Sequence, residues 1–270
     1  MPYLILSFVF LSGLIIGSFL NCLIWRLHTG ESIGGRSYCP KCRKQIAWYD
    51  NIPVFSFLIL RGKCRNCRQG ISWQYPIVEL ITGILFVIAW IFESGIMNYE
   101  SWFFLDTIIH NSRFMLQVFR DWLIIAVMII IFIYDLRWYL ILDKITLPAS
   151  ALFFILNILL GSSWQSLLIS GIIGAGFFLL QFVVSKGKWI GGGDIRMGFL
   201  MGVILGWPHI ILALFLAYIL GSIIGVGLLL FKGKKWGSEI PFGTFLAVAT
   251  LITLFLGERI LDWYFNLILF

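Results

Sequence analysis

The chain has 270 residues, of which 60% are hydrophobic and 12% are charged, so it holds about half the charged fraction of an average soluble domain. This composition argues against a soluble enzyme, a disordered chain and a protein that binds nucleic acid, and it favours an all-α membrane protein. Five clustered cysteines are too few for the disulfide framework of a secreted protein.

Apolar segments of about 20 residues follow one another along most of the chain, each long enough for a membrane-spanning helix. They lie near residues 3–25, 76–95, 118–135, 141–160, 164–184, 195–211, 211–231 and 243–264. The first lacks the basic start and cleavage site of a signal peptide, so we expect it to be retained. Residues 96–117, which contain three aromatic side chains in a row, are predicted to form a short interfacial helix. The sequence thus predicts about eight transmembrane helices.

The long polar stretch, residues 26–75, holds nine of the 20 lysines and arginines. If this stretch is cytoplasmic, an eight-span count places the segments near 135–144, 185–196 and 232–242 on the same side of the membrane. Seventeen of the 20 basic residues then lie on that side, in agreement with the positive-inside rule. We therefore expect the N-terminus outside and the polar loop in the cytoplasm.

Two CxxC pairs lie in this loop, with 21 residues between them: Cys39, Cys42, Cys64 and Cys67. Two such knuckles bring four thiolates to one tetrahedral point, the geometry of a structural Zn²⁺ site, and the neighbouring lysines and arginines favour the thiolate form. A redox-active pair is the weaker alternative, because the cytoplasm is reducing. The sequence therefore predicts a zinc-binding cytoplasmic loop between helices 1 and 2.

Two aspartates stand at the cytoplasmic ends of predicted helices. Asp135 ends a long apolar run, and Asp194 follows a loop of three glycines, Gly191, Gly192 and Gly193. Ionisable groups at membrane depth tend to be functional, and a glycine loop permits close approach of another helix. Two carboxylates that meet in a low-dielectric site keep one proton, which supplies the base and the acid of an aspartic protease. The structural alternative is that Asp194 caps its helix and Asp135 pairs with Arg137 or Lys144.

A series of motifs follows in order along nearly the whole chain: Gly17 to Asn21 with Arg26, the two CxxC pairs, Trp48 to Pro53, Tyr75 to Leu80, Asp135-Leu136, Asp143 to Pro148, Gly191 to Asp194, and Pro241 to Ala247. Together these motifs resemble one family, the type IV prepilin peptidases. Two positions depart from the family's usual pattern. Leu142 stands where proline is usual, so the start of that helix is expected to bend differently, and Arg196 stands where lysine is common.

The resemblance implies an eight-helix GxGD aspartic peptidase of the bacterial cytoplasmic membrane, with Asp135 and Asp194 as the catalytic pair at the cytoplasmic face. It implies cleavage of prepilin or pseudopilin leaders after a glycine, followed by N-methylation of the new N-terminus with S-adenosylmethionine. It implies a methylation region that carries the zinc, residues 1–95, and a peptidase domain, residues 115–264. On resemblance alone, the methylation or substrate-contact candidates are Asn21, Arg26, Asn51 and Glu79.

Two other interpretations stay open on the sequence. A GxGD protease could cut other membrane helices without methylating them, although the four-cysteine loop argues against it. From a different class, a zinc-stabilised membrane scaffold or transporter could carry the two aspartates as structural residues. Glu79 is explained equally well by an ion pair with a basic loop residue and by contact with substrate or methyl donor.

Overall fold

The computed structural model describes residues 2–94, 112–232 and 240–268. The regular elements in these ranges are helices, accompanied by two isolated antiparallel bridges in the polar loop. The prediction of an all-α protein is confirmed. In chain order the helices are α1 (Pro2–Thr29), a 3-10 helix (Trp48–Asn51), α2 (Phe55–Ile59), α3 (Gln74–Ser94), α4 (Ser112–Trp138), α5 (Asp143–Leu159), α6 (Trp164–Ser185), α7 (Gly192–Leu205), α8 (His209–Lys232) and α9 (Phe242–Ile268).

Six of these helices are long and apolar enough to cross a membrane, namely α1, α3, α4, α6, α8 and α9, as in a multi-pass membrane protein. All eight predicted apolar segments are helical, but α5 has 17 residues and α7 has 14, fewer than the roughly 20 that a bilayer requires. A count of about eight spans therefore stays a prediction. Of the interfacial helix predicted at 96–117, residues 96–111 lie outside the described ranges, and 112–117 belong to the first turns of α4.

The chain divides into two compact units, Met1–Ile129 and Ile130–Phe270. In the first unit, α1 and α3 pack backbone against backbone at glycines. A Cβ atom on Gly13 would lie 2.7 Å from the Cα of Gly83, and one on Gly17 would lie 2.7 Å from the Cα of Glu79. Small residues permit this close approach in membrane helices, and the polar loop leaves and rejoins the pair at one end.

In the second unit, α6 and α7 make the closest helix contact. A Cβ atom on Gly174 would lie 2.2 Å from the carbonyl oxygen of Gly198, so neither helix tolerates a side chain at this crossing. On another side of α7, the Asn157 side chain of α5 donates to the carbonyl oxygen of Val203 at 2.8 Å. Helix α7 is therefore fixed by two neighbours, and it carries Asp194 in its first turn.

Candidate active site and four-cysteine cluster

Asp135 lies in the last turn of α4 and is buried, with 5% of its surface exposed. Its Oδ2 accepts a hydrogen bond from the backbone N–H of Thr244 at 2.9 Å, in the first turn of α9. A Cβ atom at the preceding residue, Gly243, would lie 2.9 Å from that same oxygen. A helix N-terminus favours negative charge, so the start of α9 is a suitable support for this carboxylate.

Asp194 is the third residue of α7, and it is also buried. Its Oδ2 accepts a hydrogen bond from the N–H of Gly191 at 3.0 Å, and its own N–H donates to the carbonyl oxygen of Gly191 at 3.1 Å. The alternative that Asp194 caps its helix is thus confirmed. A cap does not exclude a second role for the same carboxylate.

The three glycines of the loop differ in what surrounds them. A Cβ atom at Gly193 would lie 2.9 Å from the Cβ of Ile141, whereas one at Gly192 would meet no atom within 4 Å. Ile141 also lies against Gly243, where an added Cβ would be 2.9 Å from its Cδ1. Ile141 therefore packs between the glycines that adjoin Asp194 and Thr244.

Asp135 and Asp194 lie on either side of Ile141, which packs against Gly193, the neighbour of Asp194, and against Gly243, beside the Asp135 carboxylate. Within the described ranges, neither carboxylate forms an ion pair with a lysine or arginine. The alternative that Asp135 pairs with Arg137 or Lys144 is therefore wrong; the Arg137 guanidinium lies over the Trp138 ring. Two buried carboxylates held by backbone N–H groups can share a proton and polarise a water molecule between them.

Three further residues at this site were assigned no role from the sequence: Ile141, Thr244 and Tyr218. The Tyr218 hydroxyl donates to Gln181 Oε1 at 2.8 Å, and the centre of its ring lies 5.1 Å from that of Phe242, the residue before Gly243. Thr244 could have been found from the sequence, because it lies in one of the motifs that carry the family resemblance, Pro241 to Ala247. Ile141 and Tyr218 lie in ordinary apolar runs, and no feature of the sequence distinguishes them from their neighbours.

The two residues at the family's variable positions lie near this site. Arg196 Nη1 contacts Asp143 Oδ1, which ties α7 to the first residue of α5, and both side chains are half exposed. Leu142 has φ −81° and ψ 123°, values that proline also adopts. The expected difference in bend at the start of α5 is therefore not present at Leu142 itself.

The four predicted metal ligands come together in the polar loop: the sulfur atoms of Cys39, Cys42, Cys64 and Cys67 all lie within 4.8 Å of one another. The two knuckles repeat the same turn. The N–H of Arg43 donates to the Cys39 carbonyl and that of Arg68 to the Cys64 carbonyl, each at 2.9 Å, and both arginines have positive φ. This donor set fits a tetrahedral Zn²⁺.

Backbone donors favour a thiolate at the second knuckle. The N–H of Cys67 donates to the Cys64 sulfur and lowers the pKa of that thiol to about 7. The Gln69 N–H also lowers the pKa of Cys67, but burial and the other sulfurs oppose a further negative charge and raise it to about 11. Four thiolates therefore need a cation among them, which is a second reason for the fit to a divalent metal.

Glu79 is buried between α1 and α3. Its Oε2 accepts a hydrogen bond from the backbone N–H of Val54 at 2.7 Å, and within the described residues it forms no ion pair. Of the two explanations of Glu79, the ion pair with a basic loop residue is therefore wrong. Val54 has φ 62°, a conformation that costs a β-branched residue about 1–3 kcal/mol, so Glu79 stabilises an unfavourable turn of the loop.

The other methylation candidates lie in the same unit. Asn21 Nδ2 donates to the Tyr75 carbonyl at 3.1 Å, and its Oδ1 accepts from Gln74 Nε2 at 3.2 Å. Arg26 is buried and donates to the carbonyl oxygens of Ile33, Gly35 and Arg36. Asn51 is exposed at the end of the 3-10 helix. The contacts of Asn21 join α1 to the start of α3, and those of Arg26 hold the first part of the loop to α1.

Two family models match the chain. The model of the bacterial peptidase A24 N-terminal domain matches residues 11–92, and that of the type IV leader peptidase family matches residues 122–226. The prepilin leader peptidase/N-methyltransferase of Aeromonas salmonicida (strain A449) is 31% identical over 301 residues, which cover 100% of this chain and 97% of the relative. The chain belongs to the type IV leader peptidase family.

Other members of the type IV leader peptidase family match this chain over nearly their whole length. The prepilin leader peptidase/N-methyltransferase of Aeromonas hydrophila is 32% identical over 296 residues, 98% of this chain and 95% of the relative. The prepilin leader peptidase/N-methyltransferase of Bacillus subtilis (strain 168) is 30% identical over 268 residues, which cover 98% of this chain and 99% of the relative. No solved structure matches the chain. The resemblance drawn from the motifs is confirmed.

Proposed function

We propose that this member of the type IV leader peptidase family is a membrane aspartic endopeptidase and N-methyltransferase. It removes the leader of type IV prepilins or pseudopilins after a glycine and then methylates the new N-terminus, with S-adenosylmethionine as methyl donor. The observation that carries the proposal is the pair of buried carboxylates, Asp135 and Asp194, which lie on either side of Ile141 and have no lysine or arginine partner among the described residues. Relatives named for both activities align along the whole chain.

In the proposed reaction, Asp135 and Asp194 share one proton across a water molecule. One carboxylate takes a proton from the water as its oxygen attacks the scissile carbonyl, and the other carboxyl group gives its proton to the departing nitrogen. The roles belong to the pair, because coupled carboxylates titrate together. The N–H groups of Thr244 and Gly191 hold the two side chains in place for this exchange.

The placement of this chemistry follows from the charge pattern of the sequence. We propose eight spans in the bacterial cytoplasmic membrane, with the N-terminus outside and both aspartates at the cytoplasmic face. The basic residues of the loops support this orientation. Residues 1–95 form the methylation region and residues 115–264 the peptidase domain in this proposal.

The methylation region holds the metal and the polar residues that the family implies. Cys39, Cys42, Cys64 and Cys67 would bind Zn²⁺ in a closed site, which supplies structure to the loop and leaves no open position for a reactant. Four residues are proposed to contact the mature N-terminus or the methyl donor, or to shape the region that does: Asn21, Arg26, Asn51 and Glu79.

Co-expression of the full chain with a prepilin, followed by mass measurement of the mature pilin, tests both activities. Loss of the leader and gain of one methyl group are separate mass changes. Asp135→Asn and Asp194→Asn are each expected to lower cleavage by about 100-fold or more, because each removes a proton-transfer group. Asp262→Asn, at an exposed carboxylate of α9, is the matched control and keeps wild-type cleavage.

Normal processing by either active-site variant, with normal membrane insertion, would defeat the assignment of the pair. A wild-type product that loses its leader but gains no methyl group would identify a GxGD protease without methylation. No cleavage of any pilin-like substrate would favour the scaffold or transporter.

A further inference from the structure

The segment Trp48–Ile59, which contains the 3-10 helix and α2, carries an unusual amount of exposed apolar surface. Between 43% and 76% of each of six large side chains is exposed: Trp48, Tyr49, Ile52, Phe55, Leu58 and Ile59. A contiguous apolar stretch of this kind on a polar loop marks a surface that contacts a membrane or another protein. Only Ser56 and Phe57 of the segment are buried.

The depth of this segment is fixed by its contact with the helix pair. Val54 donates its N–H to Glu79, five residues inside α3, and Glu79 lies against Gly17 of α1. Gly17 stands twelve residues before the end of α1 at Thr29, which is about 18 Å at the helical rise. The chain therefore leaves α1, forms the knuckles and returns alongside the helices instead of staying beyond their ends.

That level lies within the lipid-facing part of the helices. Exposed apolar side chains continue along α1 from Tyr3 to Phe19, past Gly17, and α3 exposes Ile77 on the loop side of Glu79. A hydrocarbon layer of about 30 Å that begins at Tyr3 extends about 20 residues, to roughly residue 23. The Glu79 carboxylate that accepts the Val54 N–H reaches about 4–5 Å from its own Cα toward the loop, because helical side chains point to the N-terminus of their helix. Val54 then lies about 4–9 Å inside the boundary, close to the depth at which interfacial helices bury their apolar face.

Internal contacts keep the segment in this position and neutralise its one acid. Arg65 donates to both oxygens of Asp50, at 2.7 and 2.6 Å, and this hydrogen-bonded guanidinium lowers the pKa of the Asp50 carboxyl. The Phe57 ring packs on Trp73 at 4.8 Å, directly before α3. The residues that follow the segment carry exposed cations, namely Arg61, Lys63 and Arg68. Apolar residues beside cations match an anionic lipid interface.

We propose that Trp48–Ile59 is a membrane-interfacial element. Its apolar side chains insert among the acyl chains of the phospholipid, and the cations that follow contact anionic headgroups. The polar loop is thus anchored at the bilayer surface at a third point, besides its two ends on α1 and α3, and the four-cysteine cluster is held against the membrane. This inference needs only membrane insertion of the first unit and goes beyond the proposed enzymatic function.

Photolabelling from the lipid tests this placement with the full chain in nanodiscs of phosphatidylethanolamine and phosphatidylglycerol. A phospholipid with a diazirine in its acyl chain is activated, and the adducts are mapped by peptide mass spectrometry. We expect adducts on 48–59 and only background on 30–47, which belongs to the same loop and serves as the internal control. Absence of adducts on 48–59 in the wild-type protein, or equal labelling of 30–47, would overturn the proposal.

A double variant, Leu58→Asp with Ile59→Asp, is expected to lower labelling of the segment by about tenfold or more, because carboxylates at acyl depth are costly. Ser32→Asp places a charge on an exposed residue of the same loop, away from the four cysteines, and leaves labelling unchanged. Undiminished labelling in a double variant that retains its metal contradicts the proposal; if the variant loses its metal, the wild-type labelling decides. If residues 48–59 are shielded from a water-soluble label only after a prepilin peptide is added, the segment is a peptide-binding surface and the proposal is wrong.

Discussion

The steric difference between Gly192 and Gly193 allows a sharp test of how Asp194 is positioned. An alanine Cβ at residue 193 would lie 2.9 Å from the Cβ of Ile141, against about 3.5–4.0 Å for a relaxed carbon–carbon contact. Ile141 is buried and lies against Gly243, so it cannot retreat freely. The start of α7 must then move by about 0.6–1 Å, and Asp194 moves with it.

A displacement of about 1 Å at a catalytic group lowers rates by up to about 100-fold, so we expect Gly193→Ala to lower kcat/KM for leader cleavage by 10- to 100-fold. Gly192→Ala adds a side chain where no atom lies within 4 Å, and we expect it to stay within about twofold of wild type, with a gain of up to about 1 kcal/mol in helix propensity. The two variants are compared by the rate at which each cleaves a purified prepilin in detergent. Both are assayed at the same enzyme concentration, after their unfolding temperatures have been shown to match that of the wild type. Equal losses in both variants, or a larger loss in Gly192→Ala, would refute this reasoning.

Substitutions at three further features give the remaining predictions. Cys39→Ser or Cys64→Ser should abolish bound zinc and lower methylation more than cleavage, whereas Cys22→Ser, in α1 and apart from the cluster, should retain the metal; elemental analysis and product mass check both. Zinc-free but folded wild-type protein would contradict this. Leu142→Pro should be tolerated and stabilise the protein by about 0.4–1 kcal/mol, because φ is already −81°. A lower unfolding temperature would show that proline does not fit there. Arg196→Lys should change cleavage less than about threefold, since the half-exposed ion pair with Asp143 is worth about 1 kcal/mol at most. A tenfold loss would show that the bidentate shape of the guanidinium is needed.

The four-cysteine cluster and the aspartate pair could be predicted because their signals are local. A CxxC pair forms its own turn. Because the two CxxC pairs have the same spacing, the same turn occurs twice, with Arg43 and Arg68 at equivalent positions. Asp135 and Asp194 each stand beside a marker, the end of an apolar run or a glycine loop. These patterns depend on a few neighbouring residues, so no knowledge of the tertiary packing was required.

The supports of the site could not be predicted, because they join residues far apart in the chain. Ile141 packs on Gly193 and Gly243, and an isoleucine in an apolar run has nothing that distinguishes it. Helix ends were missed for a related reason: α4 begins at Ser112, before the apolar run near 118–135 from which the helix was predicted. The positive φ of Val54 is unfavourable locally, and two hydrogen bonds accompany it: the Val54 N–H donates to Glu79, and the Phe55 N–H donates to the Pro53 carbonyl oxygen.

The closeness of the sulfur atoms also makes the direction of membrane insertion matter chemically. Cys39 and Cys67 have their sulfurs 3.9 Å apart, so a shift of about 2 Å would join them as a disulfide once the metal is absent. Such oxidation is prevented in a reducing compartment and favoured outside it. A copy inserted with this loop outside the cytoplasm would therefore tend to form a disulfide, which removes two of the four thiolate ligands from the metal site.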